Sequence, residues 1–311
     1  STKREDDDAM SSSRRKTSKN PLVRDANLTG WLFISPMVLG FICFLLLPMA
    51  MAFYMGFTDW PLLGSSSFTG LDNYRNIMND DIFWKSFGNT VYFSVGLVPL
   101  NIALALLLAL LLTKSLPGMG FFRTAIFTPV ITSLVVWSIV WKYMLATDSG
   151  FINQILQIFG IQGPAWLYNP DLAMPAVIVT SVLKNVGLNM VLFIAALQQV
   201  PAHLYEAAKL DGAGRTRTFF QVTLPMITPT VFLTVIMTVI GSLKVFSQIY
   251  VMTQGGPSNS TKVLVYYIWE TAFKLYDLGY ASAVAFILFC IILVFTLIQW
   301  QLRKRWVFHE S

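Results

Sequence analysis

The sequence predicts an all-α, polytopic membrane protein with about six transmembrane helices, and three observations carry that prediction. Of its 311 residues, 55% are hydrophobic and 12% are charged, whereas a soluble domain carries about 25% charged residues. The apolar residues gather into runs able to cross the hydrocarbon layer, a distance of about 30 Å that takes about 20 residues of helix. Within those runs the pattern is uniform. Residues 102–112 read IALALLLALLL, whereas barrel strands would alternate apolar and polar positions.

In chain order, residues 1–29 begin STKREDDDAMSSSRRK and lack an apolar core, so they read as a disordered cytoplasmic tail and not as a cleaved signal. The apolar runs follow at residues 30–57, 91–112, 121–144, 173–197, 226–252 and 281–300. Together they predict a transmembrane domain over residues 30–302, with residues 303–311 as a second cytoplasmic tail. Pro36, Pro48, Pro99 and Pro129 fall inside these runs and are expected to kink them. Three outer connections carry pieces suited to the membrane interface: FTGLDNYRNIMNDDIFWKSFGNT, DSGFINQILQIFGI and, after the TQGGP turn at residues 253–257, TKVLVYYIWETAF. Cys43 and Cys290 both lie in apolar runs, which favours buried thiols over a disulfide framework. His203 and His309 have no ligand-like neighbours, so no metal site is expected. No serine, histidine and carboxylate grouping falls at membrane depth, which leaves no nucleophile to nominate.

The net charge of +6 would suit a nucleic-acid partner if it were concentrated on one surface, but its distribution follows the membrane instead. Lys3, Arg4, Arg14, Arg15, Lys16, Lys19 and Arg24 precede the first run, Lys114 and Arg123 flank the connection after the second, and Arg303, Lys304 and Arg305 close the chain. Lys209, Arg215 and Arg217 lie on the same side. The opposite connections hold only Arg75, Lys85, Lys262 and Lys274, so the positive-inside rule places both termini and residues 203–225 in the cytoplasm.

That inner segment is the most polar stretch between spans. Residues 204–210, LYEAAKL, favour helix; Asp211-Gly212-Ala213-Gly214 breaks it; residues 215–222 can resume it, and Pro225 starts the next span. A mere connection needs only a handful of residues. A helix–turn–helix knuckle with both charge signs and several small residues is built for docking.

Glu206-Ala207-Ala208, Gly212, Val222 and Leu224-Pro225 have the spacing of the EAA loop in permease subunits of bacterial ATP-binding-cassette (ABC) importers, with Val222 where isoleucine is usual. WLFISPMVLGF, FTGLDNYRNI and FSQIYVMTQGGP are further similar to the carbohydrate-uptake branch, the permeases for maltose and glycerol 3-phosphate. The resemblance covers nearly the whole chain beyond the N-terminal tail. It implies the type I ABC importer permease fold, a place in the bacterial cytoplasmic (inner) membrane, and a heterodimer with a second homologous permease. It also implies two copies of a cytoplasmic ATPase, an extracytoplasmic solute-binding protein and a sugar substrate. On that resemblance the coupling residues are Glu206, Ala207, Ala208, Asp211, Gly212, Ala213, Gly214, Leu224 and Pro225: Glu206 meets basic groups of the ATPase, Gly212 allows the sharp turn, and the helix from about Ala213 inserts. This chain is then a non-catalytic subunit with no cofactor of its own, ATP and magnesium being held by the ATPase. Its sequence contains no G-x-x-x-x-G-K-[ST], and DGAGRTRTF lacks both that ending and a preceding strand.

A polar solute crossing the bilayer needs hydrogen-bonding groups at mid-depth. Ser181, Asn185 and Asn189 repeat every fourth residue in the fourth run, with Lys184 beside them; Thr234, Thr238, Gly241 and Gln248 share roughly one face of the fifth, beside Ser242 and Lys244. The asparagines suit a substrate cavity and helix-to-helix bonding equally. A central lysine costs about 2.5 to 3.5 kcal/mol on insertion scales. Lys184 and Lys244 are therefore expected to face a cavity, where they bind substrate or pair with a carboxylate of the second permease. Trp137 and Trp141, one turn apart, offer a stacking face for a sugar, although their position near the outer end favours an interfacial belt.

The leading reading is half of an alternating-access pathway for a sugar or oligosaccharide. The buried lysines keep open an anionic substrate, such as a uronide oligosaccharide or a sugar phosphate. An ion-coupled secondary transporter is the rival class, and it calls for intramembrane carboxylates that none of the six runs carries centrally.

Overall fold

A computed structural model of the chain describes residues 21–60, 66–113 and 118–306, with the backbone alone for residues 21–30 and 303–306. Most of both predicted tails, and Lys114, lie outside the described residues. The chain divides into two compact units, residues 1–54 and 55–311.

The first unit is a long helix with a widened turn: α1 (Pro21–Phe41), a π-helical turn (Ile42–Leu46), and α2 (Leu47–Met55), whose last residue opens the second unit. Its described part reaches back to Pro21, inside the segment predicted as tail, because a helix satisfies its own backbone in water as in lipid and need not stop at the bilayer edge. The π turn has a cause in the sequence. Proline lacks an N–H and crowds the carbonyl four residues back, which for Pro48 is Phe44, within the turn.

The second unit opens with a two-stranded antiparallel ladder, β1 (Thr58–Asp59) against β2 (Ser67–Phe68), and then α3 (Asp72–Met78). Next come α4 (Asp81–Leu112), α5 (Met119–Ile131), α6 (Leu134–Met144), α7 (Phe151–Ile158) and α8 (Pro170–Gln198). The inner segment forms α9 (Ala202–Leu210), α10 (Arg215–Thr218) and a second π turn (Phe219–Thr223). It continues without a break into α11 (Leu224–Leu243); α12 (Ser247–Met252), α13 (Leu264–Phe273) and α14 (Leu278–Trp306) complete the described residues. Among the described residues five helices are long and apolar enough to span a membrane, and the bent pair α5–α6 makes a sixth if counted as one.

The count matches the sequence reading, while several boundaries move. Residues 81–90, taken from sequence as an interfacial piece, are the first turns of α4, whose N-terminus is capped by the Asp80 carboxylate accepting the Ile82 amide at 2.8 Å. Residues 247–252 are a separate helix and not the end of the fifth span, and α14 runs past residue 302 to Trp306. The third run is no straight span. Its halves meet at 102°, with Thr132 and Ser133 extended just after Pro129.

Helix α8 is the axis of the unit: 67% of its most apolar window is buried, against 22 to 28% for α4, the α10–α11 segment and α14. It packs chiefly on α4 and then on α5. Between spans, lipid is as apolar as leucine, so close fit rather than exclusion of water holds the helices. Toward the inner segment, Ala105 and Ala109 of α4 interlock with Met190, Phe193 and Leu197 of α8 and with Ile227 of α11. Toward the other end, Phe93 and Leu97 pack with Met174, Val177 and Val182, and with Ile249 and Tyr266 beyond α11. Gly187 sets the approach of α5 to α8, since a Cβ there would stand 2.4 Å from the Ile126 carbonyl oxygen and 3.0 Å from Phe127 Cα. Gly187→Ala is expected to cost about 1 to 3 kcal/mol by forcing backbone apart, read as a lower unfolding temperature in detergent; an unchanged temperature would show that the α5–α8 contact yields freely.

At the end away from the inner segment, Asp80 ties three helices together. It accepts the hydroxyls of Tyr267 on α13 and of Tyr280 on α14, the latter at 2.6 Å. Burial pushes its carboxyl up, but the two phenols and the Ile82 and Phe83 amides outweigh burial and hold it below the usual carboxylate range. Burial and the Asp80 carboxylate together push Tyr267 up to about 12. The charged tie is thus present above the ordinary carboxylate range and is lost only as the pH falls below it.

Candidate functional site

Most of the polar residues singled out in the fourth and fifth runs, though not Lys184 or Thr234, line one cavity of about 310 Å³, at the lower end of the 300 to 1,000 Å³ typical of ligand sites. Helix α8 contributes Ser181, Asn185, Leu188 and Asn189; α11 contributes Met237, Thr238, Gly241 and Ser242; the link to α12 and its first turn contribute Lys244 to Gln248; and Phe93 and Leu97 of α4 close one wall. The spacing of four places Ser181, Asn185 and Asn189 one above the other on a single face of α8.

The bonds within this wall leave specific valences open. The Ser181 hydroxyl lies 2.6 Å from the Val177 carbonyl and 2.8 Å from the Gln248 amide oxygen. Gln248 is 3% exposed, and the nitrogen of its amide has no partner among the described residues. A buried, unpaired amide end costs about 1 to 3 kcal/mol unless something fills the site, so the lining is set for a polar occupant. Asn185 donates to the Ser181 carbonyl at 2.9 Å, which leaves its amide oxygen open to the cavity. Asn189 is tied down: it donates to Asn101 at 2.6 Å and to Thr238 at 3.1 Å, and Asn101 donates to the Val182 carbonyl at 3.3 Å. The two readings of the asparagines therefore separate, Asn185 facing the cavity and Asn189 mainly bonding α8 to α4 and α11. Ser242 is held by Ser94 at 2.9 Å. Lys244 is exposed, lines the cavity and makes no side-chain bond among the described residues.

Two sequence expectations fail here. Lys184 does not face the cavity. It is 6% exposed, and its ammonium donates to the carbonyls of Pro129 at 2.5 Å, Val130 at 3.0 Å and Thr132 at 2.8 Å. The Pro129 oxygen also accepts the Thr132 amide at 3.2 Å, but at the elbow the helical ladder stops, so the charge acts as a cap and needs neither a substrate nor a carboxylate. Trp137 and Trp141 are absent from the cavity lining too. The Trp137 indole donates to the Thr180 carbonyl at 3.0 Å and Trp141 packs on the buried cluster around Ile249, so the pair joins α6 to the bundle instead of forming a belt or a sugar platform. Sequence reasoning also missed Asn101 and Ser94; Asn101 is the one asparagine in the run 91–112, and the helix face it shares with α8 is set only by packing.

The inner segment folds as its breaker cluster predicts. Helix α9 ends in a Schellman turn: the Ala213 amide bonds the Ala208 carbonyl at 2.9 Å, the Gly212 amide bonds Lys209 at 3.1 Å, and Gly212 takes φ +71°. Glu206, Ala207, Asp211, Gly212 and Gly214 are exposed, Ala213 is half-buried, and Ala208 turns inward at 9% exposure. Leu210, at the tip, is 89% exposed. Leu224 and Pro225 begin α11, and the π turn before them again places a proline's crowded carbonyl, that of Gln221, inside the widened turn.

Residues 101–307 match the sequence profile of the family described as binding-protein-dependent transport system inner membrane component. The chain is 34% identical to a probable ABC transporter permease protein of Bacillus subtilis, covering 98% of this chain and 97% of that one. It is 35% identical to a lactose transport system permease protein of Rhizobium radiobacter, over 93% and 98% of the two chains. Its fold matches a chain in the crystal structure of a bacterial ABC transporter involved in the import of the acidic polysaccharide alginate, with a TM-score of 0.81, 23% identity, and coverage of 92% and 99%.

Proposed function

The chain belongs to the family of binding-protein-dependent transport system inner membrane components, and from that premise we propose that it forms half of an alternating-access path for a sugar or oligosaccharide. The observation that carries this reading is the cavity: Asn185, Gln248 and Lys244 offer unpaired hydrogen-bonding groups at a depth where such groups are costly. Hydroxyl-rich solutes satisfy such a set, and relatives include a lactose permease. Delivery falls to an extracytoplasmic binding protein. The other half of the path belongs to a second permease, and the driving force to two copies of an ATPase that seat the knuckle at residues 206–225. The excess of Lys and Arg on the knuckle's side supports a cytoplasmic location for it and for both termini.

The test is to purify the chain with its associated subunits and measure ATP hydrolysis as sugar-loaded binding protein is added. Stimulated hydrolysis is expected, and Gln248→Leu and Asn185→Leu should each raise the KM for uptake about tenfold, the effect of losing about 1.4 kcal/mol of polar contact. Co-purification without any ATPase would instead favour an ion-coupled transporter. An anionic substrate is the second reading, and the free Lys244 favours it. Lys244→Met should then impair uptake of a uronide while sparing its neutral analogue; equal effects on both would remove charge recognition.

A further inference from the structure

We infer that Phe246, Tyr250 and Trp269 form a second carbohydrate subsite continuous with the central cavity, so that the natural substrate has at least two sugar rings. The inference rests on the sugar-transport reading above. Phe246 lines the cavity. One turn along α12, Tyr250 stacks on it with ring centres 5.4 Å apart and planes at 27°, and Trp269 of α13 meets Tyr250 edge-on at 4.8 Å and Phe246 at 5.9 Å. Beneath them Tyr266, 1% exposed, fixes the rings from the core side, at 5.5 Å from Trp269.

Two features set this cluster apart from ordinary core and from a lipid-facing belt. Tyr250 is 41% exposed, and Phe246 and Trp269 are half-buried, so part of the cluster's ring surface stays accessible although its members also pack on one another. The rim is charged: the Lys274 ammonium lies 5.2 Å from the Trp269 ring centre and 3.6 Å from Glu270, which also pairs with Lys262. Charges at the rim mark a surface in contact with water rather than hydrocarbon. A wet, rigid aromatic face with polar groups beside it matches a pyranose, whose axial C–H groups form an apolar face and whose hydroxyls ring its edge. The chain order places α12 and α13 beyond the end of α11 remote from the knuckle, the side from which the solute arrives.

The test uses the complete complex in vesicles, with saturating binding protein and a panel of glucose, maltose, maltotriose, galactose, lactose, galacturonate and digalacturonate. Tyr250→Leu and Trp269→Leu are expected to lower the maximal uptake of oligomers at least about tenfold and that of monosaccharides less than about twofold, with Trp269→Tyr keeping at least about a third of the oligomer rate. Unfolding temperatures are measured in parallel. Import restricted to monosaccharides, or variants that lose thermal stability yet keep their oligomer rate, would overturn the subsite and leave the transport reading intact. A raised half-saturating concentration of binding protein with an unchanged maximal rate would make the surface a protein-docking face and also overturn it. Absence of uptake for every carbohydrate by the unaltered complex would overturn both.

Discussion

Lys184→Met is expected to lower stability by about 2 to 4 kcal/mol, because three carbonyls at the elbow between α5 and α6 lose a charged donor. The effect should show as a fall in the detergent unfolding temperature and in the yield of folded protein. Lys184→Arg, which keeps donors at the same place, should recover part of it. Among molecules that do fold, the preference between acidic and neutral sugars should match that of the unaltered chain, since Lys184 does not reach the cavity. A fully stable Lys184→Met protein with a selective defect for acidic sugars would refute the capping role.

The second large effect is at the knuckle. Gly212 stands at φ +71° with open space around its missing Cβ, so the chain itself imposes only a conformational penalty. For Gly212→Val that penalty is about 1 to 2 kcal/mol, whereas asparagine tolerates the left-handed region. Gly212→Val should therefore reduce ATP-driven uptake at least about tenfold while sugar uptake sites and overall folding persist, and Gly212→Asn should be much milder. A valine variant that accumulates solute normally and still retains its ATPase through purification would rule out coupling through this turn. An asparagine variant as inactive as valine would assign the defect to a tight partner surface rather than to the turn.

Much of this was legible in the sequence because it depends on local rules. Helical spacing put Ser181 and Asn185 on one face, and the breaker cluster at residues 211–214 fixed both the end of α9 and its left-handed residue. The failures share a cause of another kind. A lysine in a span can satisfy itself on substrate, carboxylate or backbone, and only the elbow after Pro129, itself not visible as more than a proline in an apolar run, reveals which oxygens need Lys184. Trp137 likewise takes its partner from α8, across a contact that sequence spacing does not encode. Asn101 went unnoticed because its partners, Asn189 and Val182, lie on a helix far along the chain.

Between the cavity and the knuckle, Ala105 and Ala109 interlock with Met190, Phe193 and Ile227, so the described body of the unit is packed there. A solute moving inward must instead skirt its outer face, where hydrocarbon is no acceptable companion for a row of hydroxyls. On the transport reading proposed above, the missing bank of that channel is protein, which would put the route in a seam lined by two polypeptides.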